Sequence, residues 1–311
     1  MRLLRSLCHA MQHWCDRFLF ESCDPRVASL LRILYGTLMV VYVSVWMLDG
    51  PVWFSETGIL SHASAEAISS GYHSSIFFHY SSPTFVQACL VVMLLQSILL
   101  TLGVWSRFQM ACVFVWLVSF QQRNPMILDC EDTVFRWFAF LMIFLPLDHC
   151  WSLGRRISGN QSLATTEHSW ALRLIQIQVA IIYSSSVFCK FQGETWRDGS
   201  ALFYVSRVDD FFGRFWLPEL LFDTAWLVRL ITWSVLAIEL LIPITIWWPR
   251  LRVPAMTAGI LLHLGVEYTM NLFLFQWIMI AGLLSFICLR QTNTKTLISQ
   301  ECSSRDSERR Q

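Results

Sequence analysis

Long apolar runs, separated by short polar connections, recur along most of the chain. Six of these runs approach the ~20 residues that a helix needs to cross a bilayer. They cover residues 28–48, 84–105, 170–190, 226–248, 253–269 and 273–289, and two shorter runs cover residues 108–121 and 133–147. The pattern predicts a bundle of helices that traverse a membrane.

The two shorter runs decide how many spans the bundle has. They fall below a comfortable spanning length, so they either tilt across the bilayer or dip in and return against protein. Because they form a pair, every later helix keeps its direction in both cases. We therefore predict an all-α, polytopic transmembrane helical bundle with about eight spans, or with six spans plus a re-entrant pair.

Basic residues sort unequally around these spans. Of the 23 Lys and Arg residues, 14 fall on the side of the N-terminus, 5 fall on the opposite side, and 4 lie within spans. The positive-inside rule assigns the basic side to the cytoplasm. Both termini are therefore expected to be cytoplasmic, and the connections 49–83 and 190–223 are expected to face outward.

The two ends of the chain differ from the predicted transmembrane domain, residues 28–289. Residues 1–27 repeat apolar positions at helical spacing with basic residues largely opposite, which predicts a cytoplasmic interfacial amphipathic segment. A mobile tail is the alternative, and no cleavable signal peptide is evident. Residues 290–311 are polar and are expected to form a cytoplasmic tail.

Composition narrows the class of protein further. Hydrophobic residues make up 55% of the chain and charged residues 14%, whereas soluble domains have ~25% charged residues. A net charge of +1 gives no basis for binding nucleic acid through overall charge. The ten cysteines lack zinc-site spacing. We expect the lipid bilayer as a partner, and no nucleic acid or metal.

Polar residues in the run 170–190 share one face. Arg173, Gln176, Tyr183 and Lys190 are spaced so that they form a stripe along a helix. Polar side chains are costly against lipid, so the stripe should line the bundle interior or a cavity. The spacing makes these four residues the leading candidates for a functional site.

Lys190 ends this stripe among apolar neighbours. Poor hydration of an amine favours its neutral form, which suits a general base. The alternative is an anchor whose amine extends to the lipid headgroups.

Two later runs carry further ionisable residues. His263 and Glu267 are four residues apart, so Glu267 would share a helix face with the imidazole and could orient it. The alternative is a histidine that is hydrogen-bonded within the bundle. Glu239 lies within the run 226–248 and is expected to pair with an intramembrane arginine, or to belong to a proton path.

Two outer connections are also rich in polar residues. Residues 121–132 read QQRNPMILDCED and place a charged cluster beside Arg136, which would bind a polar headgroup or substrate, or form a solvated loop. In the second connection, Asp198 or Ser200 can cap a short helix. That helix is expected to lie at the outer interface, as a lid over the stripe.

Six ordered segments carry a resemblance to a known family. They are LLRILYG (30–36), RNPMILDCED (123–132), RWFAFLMIFLPLDHCWSL (136–153), AIIYSSSVFCKFQGETWRDGSAL (180–202), AIELLIP (237–243) and LLHLGVEYTMNLFLFQWIMI (261–280). Together they resemble the HTTM (horizontally transferred transmembrane) domain, which is related to the membrane portion of vitamin K-dependent gamma-carboxylase.

The resemblance implies a quinol-dependent lyase in which a lysine deprotonates vitamin K hydroquinone. Lys190 matches that lysine, Asn124 lies in the segment that matches the quinone site, and His263 matches a histidine that recurs in the family. With the stripe, this gives Lys190, His263 and Glu267 as candidate catalytic residues. Asn124, Gln176 and Tyr183 are the candidate binding residues for reduced vitamin K or another quinol.

The resemblance also implies a second function. The carboxylase has a large luminal region after its membrane helices, where this sequence has only residues 290–311. Members with the membrane domain alone resemble a protein needed to mature a secreted toxin peptide. The alternative is therefore a non-catalytic membrane partner for export or maturation of a secreted peptide. Either function implies a multi-pass protein of the cell membrane, expected to be a bacterial inner membrane, with a secreted peptide or protein as partner.

Overall fold

The computed structural model describes most of the chain between residues 22 and 287. The described residues are 11, 13, 15–16, 18–20, 22–68, 75–159, 167–168, 170–208, 211–218 and 220–287. Residues 1–10 of the predicted amphipathic segment and the whole predicted tail, 290–311, lie outside them.

The described residues are mostly helical, as predicted. The helices are α1 (Pro25–Phe54), α2 (His62–Ile68), α3 (Pro83–Leu102), α4 (Ser106–Arg123), α5 (Cys130–Met142), α6 (Leu153–Ile157), α7 (Trp170–Gln192), α8 (Glu194–Arg197), α9 (Ala201–Val205), α10 (Leu220–Asp223), α11 (Ala225–Thr245), α12 (Arg252–Thr269) and α13 (Phe275–Leu284). Short 3₁₀ turns cover Ile76–Phe78 and Pro125–Ile127. Two two-residue strands, β1 (Ser22–Cys23) and β2 (Glu167–His168), pair antiparallel.

Four of these helices are long and apolar enough to cross a membrane within the described part of the chain: α1, α3, α7 and α11. Each coincides with one of the long apolar runs. The remaining predicted runs form α4, α5, α12 and α13, which are shorter or less apolar. Composition and length therefore support a membrane-embedded bundle, with the shorter helices packed among four long ones.

Local sequence explains where the long helices begin and end. Asp24 accepts a hydrogen bond from the backbone of Arg26, and Pro25 occupies the first turn, where its missing N–H costs nothing. Ser82 caps α3 in the same way. Gly103 ends α3 with φ of 78°, a conformation that glycine adopts without strain.

Helix α1 extends past the apolar run that predicted it. The run ends at Leu48, but a second helical segment continues to Phe54 beyond a break at Asp49, whose φ is −129°. Pro51 lies at the start of this second segment, where it can be accommodated without a donor. The break redirects the chain before it enters the outer connection.

The bundle has two groups of helices, which are joined by α13 and by direct packing of α5 against α7. Helices α1, α3, α4 and α5 pack in sequence order, and α7, α11 and α12 form the second group. Helix α13 packs against α12 and also contacts α1, α5 and α7. Residues that α13 shares with its neighbours therefore lie at the centre of the bundle.

The intramembrane arginine Arg32 has a partner outside the spans. It is fully buried, lies 3.6 Å from the carboxylate of Asp148, and donates to the carbonyl of Trp151 at 2.7 Å. Gly103 leaves room for this guanidinium, because a Cβ at that position would lie 1.7 Å from Nη1. This cluster ties α1 to the connection that follows α5.

Candidate functional site

The polar stripe of α7 enters the bundle, as its spacing predicts. Gln176 and Tyr183 are buried, with 5% and 2% of their surface exposed. Arg173 donates to the side-chain oxygen of Gln176 at 3.0 Å, and Gln176 donates to the carbonyl of Ser285 at 2.8 Å. The stripe therefore joins α7 to the end of α13.

Tyr183 forms the central contact of the site. Its hydroxyl lies 2.6 Å from Nε2 of His263 on α12, and the other ring nitrogen, Nδ1, lies 2.5 Å from Oε1 of Gln276 on α13. An amide oxygen only accepts, so Nδ1 carries the proton of the neutral imidazole and Tyr183 donates to Nε2. The three side chains form a directed hydrogen-bond chain across three helices.

Helix α12 packs closely beside this hydrogen-bond chain at Gly259. A Cβ at Gly259 would lie 2.7 Å from a methyl carbon of Leu283 and 3.4 Å from the hydroxyl of Tyr183. A side chain at this position would therefore require the Leu283 side chain to shift. The glycine leaves room between α12 and these two side chains.

Lys190 forms an ion pair with Glu239 at the C-terminal end of the stripe. Its Nζ lies 2.5 Å and 2.6 Å from the two carboxylate oxygens, and Ser186 donates to Oε2 at 3.3 Å. The side chains are 22% and 12% exposed, so neither is fully hydrated. The ring of Trp196 covers the ammonium at 4.9 Å.

This pairing corrects one expectation from the sequence. Glu239 was expected to pair with an intramembrane arginine or to belong to a proton path. It contacts Lys190 on a neighbouring helix, so the arginine pairing is wrong and the proton path stays a prediction. The reason is geometric, since α7 and α11 pack against each other and bring the two residues together at one end. Lys190 is thus drawn towards protein, which argues against an amine that extends freely to the headgroups.

Glu267 does not orient His263, so this expectation was also wrong. Both ring nitrogens of His263 already have partners, Tyr183 and Gln276. Glu267 instead forms an ion pair with Arg214 in the outer connection. Four-residue spacing placed both residues on one helix, but an ion from another segment competes for the carboxylate.

The polar cluster of residues 121–132 is buried except at Asp129, so the solvated-loop alternative is wrong. Asn124, Glu131 and Asp132 are 2%, 6% and 5% exposed. Asn124 donates to the carbonyl of Trp53 at 3.0 Å and accepts from the backbone of Met126. Its amide therefore holds two outer turns together, and neither contact leads to the stripe.

The acidic residues of this cluster connect distant helices. Glu131 accepts a hydrogen bond from the backbone N–H of Leu274 at 3.0 Å, where α13 begins. Asp132 accepts from the hydroxyl of Tyr42 on α1. Glu131 precedes the apolar run 133–147, and burial raises the pKa of its carboxyl to about 7. The cluster therefore contains a carboxyl that titrates near neutral pH.

Arg123 ends α4 as a fully buried cation. One of its nitrogens, Nη2, donates to the carbonyls of Ser55 and Leu60, both at 2.8 Å. Nε and Nη1 make no hydrogen bond in the described part of the protein. The residue anchors the outer turn at 55–60 to the end of α4.

The predicted short helix of the second outer connection is present as α9. It begins at Ala201, directly after Ser200, whose backbone N–H donates to Asp198 at 2.8 Å. Hydrogen bonds from Ser200 hold the pKa of Asp198 below its usual value. Helix α9 packs against α11, and its backbone N–H at Leu202 donates to Thr232. The lid role predicted for it is not tested by these contacts.

Two contributors to the site were not identified from the sequence: Gln276 and Trp196. Ser186 was expected near the end of the stripe, as one of three neighbouring serines whose hydroxyls lie there. Gln276 left one signal, because it is a polar residue within the apolar run 273–289. Its contact with His263 depends on how two helices face each other, which periodicity within one helix does not reveal. Among the described residues, no group of three or more His, Cys, Asp or Glu side chains is placed to bind a metal ion.

Comparison with known proteins assigns most of the chain to one family. The family model described as the HTTM domain matches residues 20–290. Two relatives come from Bacillus subtilis (strain 168). Uncharacterized protein YitO is 26% identical over 161 residues, which cover 50% of this chain and 52% of the relative. Sporulation-delaying protein SdpB is 26% identical over 196 residues, which cover 58% of each chain.

These matches are partial. The chain spans just over half the length of the two curated relatives. No solved structure matches it. The HTTM family model therefore covers a larger share of the chain than either relative does.

Proposed function

Because the chain belongs to the HTTM domain family, we propose that it is a multi-pass membrane enzyme of the vitamin K-dependent carboxylase type. In this proposal it binds a quinol at the outer end of α7 and uses Lys190 as the base that takes a quinol proton. Its place is the cell membrane, a bacterial inner membrane, and its protein substrate is a secreted peptide or protein.

The Lys190–Glu239 pair is the observation that carries the proposal. Both carboxylate oxygens of Glu239 contact the amine of Lys190, at 2.5 Å and 2.6 Å. In this proposal the carboxylate takes a proton from Lys190, and the amine then acts as the general base towards the quinol.

The neighbouring groups fit a hydroxylated ring. Lys190 and Glu239 provide polar groups for a ring hydroxyl, and Trp196 provides an aromatic face. Ser186 donates its only proton to Glu239 and so helps to position that carboxylate. Tyr183 donates its only proton to His263, so its oxygen keeps lone pairs that can accept from a ligand. Gln176 and Asn124 instead hold helices and turns in place.

The bound quinol supplies the chemistry that side chains lack. With molecular oxygen it becomes the quinone epoxide and water, while a glutamate γ C–H and carbon dioxide become a γ-carboxylate and a proton. The protein binds the quinol, removes its first proton at Lys190 and passes that proton to solvent. The partly exposed side chain of Lys190 suits the transfer of this proton to solvent.

Turnover with defined substrates tests the proposal. Purified protein in lipid nanodiscs would receive reduced naphthoquinone, oxygen, labelled bicarbonate and glutamate-containing peptides. We expect labelled peptide and quinone epoxide in equal amounts. Lys190→Met should abolish both products, and Glu239→Gln should reduce them at least tenfold.

A matched surface pair provides the control. Arg207 and Asp223 form an ion pair whose side chains are 42% and 57% exposed, so Arg207→Met changes charge without touching the stripe. This variant should retain wild-type turnover. Absence of both products from folded wild-type protein, or full activity of Lys190→Met, would contradict the proposal.

The match to Sporulation-delaying protein SdpB favours a second candidate. In this alternative the chain is a non-catalytic membrane partner for export or maturation of a secreted peptide. Exposed aromatic residues on the outer connection, including Phe211, Phe215 and Trp216, offer a surface for such a peptide. Recovery of a small secreted protein with the purified chain, together with normal maturation in Lys190→Met cells, would favour it over the enzyme.

A further inference from the structure

A groove runs along the outside of the bundle between α7 and α11. Its cavity volume is about 410 Å³. The lining residues lie at helical spacing on the two facing surfaces: Ile177, Ala180, Ile181, Ser184, Ser185 and Val187 on α7, and Leu240, Pro243, Ile244 and Trp247 on α11. It is therefore a continuous furrow formed by two long apolar helices.

The direction of the two helices orients this groove. It extends from Ile177 to Val187 on α7, which is ~15 Å at 1.5 Å per residue. Leu240 lies at the same end as Val187, because α11 runs antiparallel to α7. Lys190 lies three residues beyond Val187 and Glu239 directly precedes Leu240, so the ion pair lies next to this end of the groove.

The surroundings of the groove select an apolar occupant. Ile181 and Ile244 are 50% and 52% exposed on helices that are long and apolar enough to cross a membrane. A surface at that depth meets hydrocarbon rather than water. Ser184 does not change this, because its hydroxyl donates to the carbonyl of Ala180 within its own helix.

The end of the groove near Lys190 and Glu239 is polar. Pro243 has no N–H, so the main-chain carbonyl of Glu239, four residues earlier, loses its usual helical donor. A carbonyl that lacks its helical donor, a carboxylate and an ammonium thus lie close together near the apolar groove. An amphiphile with a hydroxylated head and one hydrocarbon chain matches both the polar end and the apolar groove.

We propose that the groove between α7 and α11 binds the hydrocarbon chain of the quinol, which enters sideways from the bilayer with its ring at Lys190 and Glu239. The identity of the head rests on the proposed function; the position and entry of the chain rest on the groove itself. A length of ~15 Å accommodates a single extended chain in about half of the ~30 Å hydrocarbon core.

Photolabelling of the full chain in nanodiscs tests this position. The probe is a naphthoquinone whose alkyl chain carries a diazirine, and labelled sites are read by mass spectrometry. We expect the label within residues 177–187 and 240–247. Ala180→Trp and, on the opposite wall, Ile244→Trp fill the groove and should each lower this labelling about tenfold.

Val91→Trp is the matched control, because Val91 is 40% exposed on α3, outside the groove. It should leave labelling unchanged, and thermal melting verifies that all three variants fold. Equal labelling in either folded groove variant, or a label spread over α3 as well, would overturn the proposal. So would a diazirine-labelled phosphatidylcholine that keeps labelling the groove when unlabelled naphthoquinone is in excess.

The same experiment separates this inference from the proposed function. Labelling requires no turnover, so it can be measured on protein that forms no carboxylated product. Groove labelling without product would refute the proposed enzyme activity but not the binding of the hydrocarbon chain in the groove. Product formation with labelling elsewhere would refute binding in the groove but not the enzyme activity.

Discussion

Oε1 of Gln276 lies 2.5 Å from Nδ1 of His263, and this contact determines what the imidazole can do. Because the amide oxygen accepts, Nε2 is left with a lone pair that faces the hydroxyl of Tyr183 at 2.6 Å. His263 is thus a fixed acceptor for the tyrosine proton. The glutamine on α13 sets the direction of a chain that ends on α7.

Replacing Gln276 with leucine should release this constraint. The variant leaves the buried Nδ1–H without an acceptor, at a cost of about 1–3 kcal/mol in the free energy of unfolding. Nitrogen NMR of labelled histidine should show one tautomer in the wild type and a mixture in Gln276→Leu. A single unchanged tautomer in the variant would show that Gln276 does not fix the ring.

The ion pair between Lys190 and Glu239 should behave non-additively. Lys190→Met leaves a poorly hydrated carboxylate without a partner, and we expect a loss of about 3 kcal/mol in unfolding free energy. Lys190→Met combined with Glu239→Leu removes both charges and should recover most of that loss. Thermal unfolding in nanodiscs, with Arg207→Met as the exposed control at about 0–1 kcal/mol, measures the coupling. Simple addition of the two single effects would contradict the pairing.

Gly103 should tolerate no side chain. Alanine at this position combines a positive φ with a Cβ that overlaps the buried guanidinium of Arg32, and we expect about 3 kcal/mol of destabilisation. Gly159 also has a positive φ, but a Cβ added there would meet nothing within 4 Å, so Gly159→Ala should cost about 1 kcal/mol. Equal melting temperatures for the two variants would show that the contact with Arg32 is unimportant.

Glu131 should make stability fall as the pH rises towards neutral. Burial raises the pKa of this carboxyl from 4.5 to about 7, and the nearby carboxylates of Asp129 and Asp132 raise it further, against hydrogen bonds from the start of α13. Between these two values the folded protein binds more protons than the unfolded chain. Its free energy of unfolding therefore decreases across that window, by about 3 kcal/mol.

Glu131→Gln removes this titration but keeps an oxygen for the backbone N–H of Leu274. Melting curves at pH 5, 6 and 7.5 should show a shallower pH dependence in the variant than in the wild type. Asp132 has a raised pKa as well and supplies part of the remaining slope. Parallel dependences in the two proteins would rule out a contribution from Glu131.

Apolar length predicted the helices well, because a span is a local property. The run 170–190 became α7, and the stripe from Gln176 to Tyr183 faces the interior because a helix has only one polar side. Boundaries were less predictable where a single residue decides them. Gly103 ends α3 after Leu102, although the apolar run continues to Trp105.

Contacts between helices could not be read from spacing within one helix. Glu239 and Lys190 are 49 residues apart, and Glu267 and Arg214 are 53 apart. In the sequence, Glu267 lay near His263, and Glu239 was expected to pair with an arginine. The partner that each carboxylate has in the structure depends on which helices pack together, and therefore on the packing of the whole bundle.

Gly259 has a consequence beyond packing. A Cβ at this position would lie 3.4 Å from the hydroxyl of Tyr183, which contacts His263 at 2.6 Å. Hydrogen-bond strength falls steeply with separation, so a larger side chain that displaced the Tyr183 hydroxyl would weaken its bond to His263. An apolar position on α12 thus borders the proton-carrying groups without being one of them.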